Sequence, residues 1–191
     1  MDPVSRSAFD RRHQGAGRWL RVLAAMLCLL FAIHSRAAEE SLEYQVKSAF
    51  LLNFTKFIEW PSTAFEATDS PIAICILGED PFGPTLDQIV AGEVVNNRKV
   101  TVVRIRRAPA AKACQVLFLG RPEKEVASLL PSLDAGVLTV GEGESFIRDG
   151  GMIAFVIENR RVRFSANQMA AERAGLKISA RLLNVAKSVK K

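Results

Sequence analysis

The chain has 191 residues, with 49% hydrophobic residues and a formal charge of +6, a length and composition that suit one globular domain with a substantial core. The positive charge is poor support for nucleic-acid binding, because six arginines and only two acids lie in the first 37 residues. Both histidines, His13 and His34, also lie there. The remainder therefore lacks the residues for Ser-His-Asp or Cys-His catalysis and for most catalytic zinc sites.

The first 37 residues have the pattern of a secretory signal peptide. Five arginines precede an apolar run over residues 22–33, and Ser35 and Ala37 place small residues where signal peptidase cuts. The run is shorter than the ~20 residues of an ordinary membrane span, although an uncleaved N-terminal anchor is the alternative. The sequence predicts a cleaved signal peptide at 1–37 and one exported domain at 38–191.

A first helix is predicted over residues 43–59. Phe50, Phe54 and Phe57 recur at helical spacing, and Pro61 stops the helix because the residue before a proline avoids helical geometry. Further leucines widen the apolar face. Such a helix is either buried on most sides or packs against a partner.

Strand and helix patterns then alternate along the chain. We expect Asp80 to cap the second helix, with Pro81 at its first position. Alternating strands and helices predict an α/β domain with a largely parallel central sheet and flanking helices. The predicted strands cover residues 71–77, 99–105, 116–119 and 136–140, and the helices between them cover 81–91 and 123–130.

The last forty residues change in pattern. Residues 152–165 predict an antiparallel hairpin that turns at 158–161. Asn167 is expected to cap a helix that ends at Gly175, and a last helix is predicted from Ile178 to Val189. The full prediction is a single α/β domain that ends with a C-terminal antiparallel hairpin.

Two cysteines, Cys75 and Cys114, follow the predicted signal peptide. An even number of cysteines in an oxidising compartment favours a disulfide bond. Both cysteines lie in apolar, strand-like segments, so two buried and inert thiols are the alternative.

Two glycine-containing segments look like phosphate loops but lack essential residues. Residues 78–85 join a strand to a helix, yet Pro84 stands where a P-loop has lysine. Gly141 and Gly143 begin a dinucleotide fingerprint whose third glycine is missing. The sequence therefore predicts neither a nucleotide site nor any cofactor.

Other charged side chains are candidates for acid–base catalysis or for binding an anion. Glu142, Glu144 and Asp149 could act as general acids or bases, but solvated loop carboxylates are the favoured interpretation. Arg160 and Arg161 lie at the predicted hairpin turn. A small anionic ligand could bind beside them at Arg163, Lys177 and Arg181, although a solvated turn is the alternative.

Several segments together resemble the YfiR-type family of periplasmic proteins. The similarity runs from about residue 44 to residue 187, nearly the whole of the predicted exported domain. The segments that carry it are residues 44–61, 74–83, 137–141, 150–153, 162–164 and 174–183.

The resemblance implies a periplasmic α/β protein without enzymatic activity. The best-understood members of this family repress an inner-membrane diguanylate cyclase of the YfiN type by holding its periplasmic sensor region inactive. Their release raises cyclic di-GMP and favours biofilm, and an outer-membrane lipoprotein of the YfiB type can sequester them. Cys75 and Cys114 match a pair that can be redox-responsive there. A second cysteine pair is absent here, where Asp149 and Ala170 stand near its position.

We therefore expect a repressor that binds the sensor region of a membrane cyclase, with a homodimer as a further expectation and no nucleic acid partner. The alternative is a small-ligand-binding accessory of a sensor kinase or an outer-membrane receptor. The expected contact residues come from the first helix and the C-terminal segment: Phe50, Phe54, Phe57, Trp60, Leu176, Ile178 and Leu182.

Overall fold

The computed structural model describes residues 42–107, 111, 113–120, 123–133 and 135–191, so the predicted signal peptide lies outside the described residues. The helices are α1 (residues 42–57), α2 (Pro84–Val90), α3 (Glu123–Leu129), α4 (Glu144–Arg148), α5 (Gln168–Arg173) and α6 (Ala180–Val185). The strands are β1 (Ile58–Glu59), β2 (Ile72–Gly78), β3 (Val94–Val95), β4 (Arg98–Ile105), β5 (Val116–Gly120), β6 (Leu138–Glu142), β7 (Ile153–Glu158), β8 (Arg161–Asn167), β9 (Lys177–Ile178) and β10 (Ser188–Lys190).

The main sheet of the described residues has eight strands in the order β10-β8-β7-β6-β5-β2-β4-β3. Strands β7, β6, β5, β2 and β4 run parallel, whereas β8 is antiparallel to β7 and β3 is antiparallel to β4. Strand β10 joins one edge by pairing parallel with β8. The predicted α/β fold, with its largely parallel sheet and C-terminal antiparallel hairpin, is confirmed.

Helix α1 covers one face of the sheet. Phe54 is fully buried, and its ring centroid lies 5.9 Å from that of Phe155 and 5.3 Å from that of Phe164. Leu51 is also buried, whereas Asn53 is exposed, so one side of α1 faces the core and the other faces solvent. This amphipathic packing is the usual source of helix stability in a folded domain.

The opposite face of the sheet is covered by α3 and α4. Phe146 of α4 is buried against the sheet between Gly141 and Gly151, where a β-carbon on either glycine would overlap its ring. The glycine at 141, which begins the false dinucleotide fingerprint, therefore makes room for an aromatic ring.

Two predicted boundaries near Asp80 and Gly136 were wrong. The Asp80 carboxylate accepts hydrogen bonds from the backbone N–H groups of Phe82 and Gly83, at 2.9 and 3.1 Å, and closes a turn. Helix α2 therefore begins at Pro84 rather than at Pro81. Strand β6 begins at Leu138 rather than at 136, because Gly136 has a positive φ of 83° in the preceding turn.

The predicted last helix was also wrong in its extent. Helix α6 covers only Ala180–Val185, while Ile178 belongs to β9 and Val189 to β10. Ser179 caps α6, and the backbone N–H of Lys187 donates to the carbonyl of Phe164 at 2.7 Å. This long-range bond directs the C-terminal residues to the sheet edge.

The predicted cap and turns of the C-terminal part are confirmed. The Asn167 side chain accepts a hydrogen bond from the N–H of Ala170 at 3.0 Å, so it caps α5. Gly175 has a φ of 77° just after that helix, and Asn159 and Arg160 have positive φ values in the hairpin turn. Two consecutive residues of this kind give the twist that a two-residue hairpin needs.

Replacing Phe54 with alanine should strongly destabilise the domain. Truncating a fully buried phenylalanine typically costs about 3–5 kcal/mol, because the lost burial is joined by a cavity. The free energy of unfolding in urea measures this loss. Val46→Ala on the same helix is the matched control, since Val46 is 38% exposed. A Phe54→Ala loss no larger than the Val46→Ala loss would contradict the assigned packing.

Candidate functional site

A crevice of about 360 Å³ opens at the carboxyl ends of β2, β5 and β6, and we call it the strand-end crevice. Strand β2 has β4 on one side and β5 on the other, so the winding of the sheet reverses between β2 and β5. In open α/β sheets, ligands bind at this reversal, beyond the carboxyl ends of the strands. The lining residues are Tyr44, Glu79, Pro81, Phe118, Leu119, Gly120, Val126, Glu142, Ser145, Phe146 and Asp149.

The floor of the strand-end crevice is held by backbone contacts. The N–H of Glu79 donates to the carbonyl of Gly120 at 2.8 Å, which joins the ends of β2 and β5. Gly120 is required here because a β-carbon would overlap the Glu79 carbonyl oxygen. Phe118 and Leu119 are buried beneath this junction, so the floor is apolar and closely packed.

A buried lysine ties α1 to the rim of the crevice. Lys47 is only 2% exposed, and its Nζ donates to Glu142 at 2.7 Å and also pairs with Glu43. The same Nζ lies 4.4 Å from the centroid of the Tyr44 ring. Burial alone would lower the pKa of Lys47, but the hydrogen bonds to Glu142 and Glu43 outweigh it and raise the pKa.

Tyr44 is the aromatic side chain at the mouth of the crevice. Burial, followed by the nearby Glu142 carboxylate, raises the pKa of its phenol, while the Lys47 charge acts in the opposite direction. Its ring meets Phe82 edge to face at a centroid distance of 5.5 Å, which fixes its orientation.

The apolar side chains expected to contact a partner lie largely inside the domain. Phe54, Leu176, Ile178 and Leu182 are buried in the core, and Phe50, Phe57 and Trp60 are partly buried against it. These side chains therefore have a packing role in the structure. Their role in binding a partner stays a prediction.

Gln115 is a structural residue that sequence reasoning missed. Its side-chain amide accepts a hydrogen bond from the N–H of Ala73 at 2.8 Å and donates to the carbonyl of Ala64 at 2.7 Å. The backbone carbonyl of Gln115 accepts hydrogen bonds from the Trp60 indole at 3.3 Å and the Leu138 N–H at 2.8 Å. The sequence signal for this role is the position of Gln115, a polar residue between Cys114 and the apolar strand that begins at Val116.

The three residues expected to bind an anion lie on different elements. Arg163 is half-buried in β8, Arg181 is exposed on α6, and Lys177 of β9 pairs with Glu59 at 3.1 Å. A shared anion pocket stays a prediction.

Cys75 and Cys114 form a disulfide bond with a Cα–Cα distance of 5.8 Å. Both residues are buried on the face of the sheet that α3 and α4 cover. The bond joins β2 to the segment before β5. The sequence left a disulfide and two buried thiols as alternatives, and the structure shows the disulfide.

The described residues were compared with the requirements of a metal site and of a membrane span. They include no group of three or more His, Cys, Asp and Glu side chains placed to hold a metal ion. No helix among them combines the length and the apolar character needed to span a bilayer.

A comparison with protein families decides the relationship. The family model of YfiR/HmsC-like proteins matches residues 44–187. The chain belongs to the YfiR/HmsC-like family. The resemblance inferred from the sequence segments is thereby confirmed.

Solved structures give weaker similarities to this YfiR/HmsC-like chain. A conserved domain protein from Vibrio cholerae has 11% identity and a TM-score of 0.45, with 62% of this chain and 54% of that chain covered. The ABC domain in complex with L-Trp from Streptococcus pneumonia has 12% identity and a TM-score of 0.42, covering 62% and 55%. The chain thus spans about half the length of each. A comparison with curated proteins gave no match.

Reducing the disulfide of this YfiR/HmsC-like protein should lower its stability. A bond between residues separated by 39 positions restricts the unfolded chain, which corresponds to about 4 kcal/mol in the loop-entropy description. Urea unfolding with and without dithiothreitol measures the loss. The double variant Cys75→Ala/Cys114→Ala should be insensitive to the reductant. Equal midpoints for the oxidised and reduced protein would contradict the expected stabilisation.

Tyr44 is the sole tyrosine of the chain, so the ultraviolet absorbance of its phenolate can be followed directly. The midpoint of the Tyr44 titration should lie above the usual pKa of 10.0 in the folded protein. A pKa raised by folding means that the associated stability is present below about pH 10 and is lost as the pH rises through the folded pKa.

Lys47→Met should move that midpoint further upward, because the Lys47 charge favours the phenolate. Lys56→Met removes an exposed lysine that pairs with Glu93, and should leave the midpoint unchanged. A Tyr44 midpoint at or below 10.0, or one that ignores Lys47→Met, would show that the assigned environment is wrong.

Proposed function

We propose that this chain is a periplasmic regulatory protein that binds the sensor region of an inner-membrane diguanylate cyclase. The observation that carries the proposal is the family match over residues 44–187. A repressor of this kind binds the inactive state of the cyclase more tightly than the active state, so it increases the inactive population. The expected result is less cyclic di-GMP and less biofilm.

Two of the three carboxylates that are candidate acid–base groups, Glu142 and Glu144, are held in ion pairs, which supports a non-enzymatic role. Glu142 is held by Lys47, and Glu144 accepts hydrogen bonds from Ser165 and Lys187, both at 3.2 Å. Ion pairs of this kind serve structure as readily as chemistry. We therefore propose that the chain acts by binding rather than by catalysis.

The outward sides of α1 and α6 are our candidate contact surface, which we call the α1–α6 surface. The N–H of Ser179 donates to the carbonyl of Phe57 at 3.0 Å, so α6 starts beside the end of α1. Val46 on α1 and Val185 on α6 are 38% and 57% exposed. Exposed apolar side chains rimmed by charge are typical of protein–protein contacts. Lys177 and Glu59 supply charge nearby.

We propose that two further partners, an outer-membrane lipoprotein and a second copy of this chain, bind the same α1–α6 surface. An outer-membrane lipoprotein would free the cyclase by competing for the repressor. A homodimer would bury the same residues and thereby limit the free repressor. Both proposals rest on the family relationship rather than on a contact in the structure.

Val185→Asp should raise cytoplasmic cyclic di-GMP when it replaces the native copy. A charge at this exposed position disfavours a desolvated contact without disturbing the core. The measurement is cyclic di-GMP in a strain that lacks the gene and carries either the native copy or the variant, with equal periplasmic protein levels. Deletion alone should raise the level, and the native copy should reverse the rise.

Val94→Asp is the matched control for this experiment. Val94 is also 57% exposed, but it lies on β3, at the opposite edge of the sheet from β10. It should restore repression fully. If deletion leaves cyclic di-GMP unchanged while the cyclase is expressed, the repressor proposal fails. If Val185→Asp and Val94→Asp repress equally, the α1–α6 surface is not the contact.

A further inference from the structure

We infer that the strand-end crevice is a binding site for a small organic cation, a molecule with an apolar body and an ammonium or guanidinium group. The proposed repressor function does not use this crevice, and the inference does not depend on it. Three properties of the described residues carry it: the shape and floor of the crevice, its uncompensated charge and its preformed walls.

The crevice has the size and floor of a small-molecule site. Its volume of about 360 Å³ falls in the range of such sites, which are mostly apolar with a few polar groups. Phe118, Leu119 and Phe146 are buried residues that line it. Its place at the reversal of the sheet winding is the usual ligand position in this architecture. An apolar body of one or two rings fits this floor.

Among the residues that the structure describes, the rim carries negative charge that other side chains do not compensate. Of the three carboxylates in the lining, Glu142 is paired with Lys47. The carboxylates of Glu79 and Asp149 have no hydrogen-bond or ion-pair partner among the described residues. A ligand that covers them removes water from them, which is unfavourable unless the ligand supplies a donor or a positive charge. A cationic group meets this requirement, whereas an anion adds repulsion and a neutral molecule leaves the charges unpaired.

The walls are formed before any ligand arrives. The bond between Glu79 and Gly120 fixes the strand ends, and the Lys47–Glu142 pair fixes α1 against β6. Phe146 is held against the sheet between its two glycines. A preformed site spends little conformational entropy on binding, so even a small ligand binds measurably.

Three probes of nearly equal shape test the charge preference in the whole exported protein. They are 2-(1-naphthyl)ethylamine, 1-naphthaleneacetate and 2-(1-naphthyl)ethanol, which are cationic, anionic and neutral at neutral pH. The amine should raise the melting temperature with increasing concentration, and the other two should raise it much less. Binding by the amine should weaken as salt concentration rises, because salt screens the rim charges.

Two substitutions locate the site. Asp149→Asn and Glu79→Gln keep the side-chain shape and remove one charge each, and each should weaken amine binding about tenfold, as expected for the loss of one charged hydrogen bond. Asp69→Asn is the matched control, an exposed aspartate that does not line the crevice, and it should bind the amine as the native protein does. Unchanged melting without probe confirms that each variant is folded.

Four results would overturn the inference. The three probes could shift the melting temperature equally, which would indicate apolar contact without charge selection. A second such result is that none of the three probes binds. Asp149→Asn and Glu79→Gln could both behave like Asp69→Asn, which would place amine binding elsewhere. Calcium or magnesium alone could give the full shift and block the amine, which would make the crevice an inorganic cation site.

Discussion

The parallel sheet must be covered on both faces, and this requirement governs the rest of the structure. Parallel strands are joined by helical crossovers and carry apolar side chains on both faces, so water is excluded from both faces only if helices pack on each of them. Phe54 of α1 meets this need on one side, against aromatic rings of β7 and β8. Phe146 of α4 meets it on the other, where glycines at 141 and 151 leave space for the ring. The Cys75–Cys114 bond and the side-chain amide of Gln115 then join β2 to the segment before β5.

The alternation of strands and helices was predictable because buried strands are short, continuous apolar runs, as in β2. The structure of the last residues of the chain was harder to predict. The apolar residues of the predicted last helix are periodic up to Val189. The hydrogen bond from the N–H of Lys187 to the carbonyl of Phe164 instead places Val189 in β10. A contact with β8, more than twenty residues away, leaves no trace in local periodicity. The start of α2 was missed for a local reason, because the Asp80 carboxylate closes a turn before the helix instead of capping it.

The candidate sites were predictable to different degrees. An apolar helix face looks the same in sequence whether it meets the core or a partner, so the burial of Phe54 and Leu182 needed the fold. The crevice depends on bringing Glu79, Gly120 and Glu142 together from three strand ends, which requires the strand order. The charges of Glu142 and Asp149 are visible in the sequence, but the distance between the two side chains is not. Gln115 has no local pattern that reveals its four bonding partners.

Helix α1 connects the two proposed binding regions. Its first turns supply Tyr44 to the crevice lining and Lys47 to the pair with Glu142, and the carbonyl of Phe57 accepts a hydrogen bond from the N–H of Ser179 at the start of α6. The Lys47–Glu142 pair is part of the preformed wall of the crevice, so the position of the beginning of α1 and the shape of the crevice are linked. Linkage requires a ligand to favour one arrangement before it can shift any equilibrium, and the coupling is then equal in both directions. A partner that tightens α1 against the sheet would therefore keep the Lys47–Glu142 pair and the crevice wall in place and strengthen cation binding, whereas a partner that loosens α1 would weaken it.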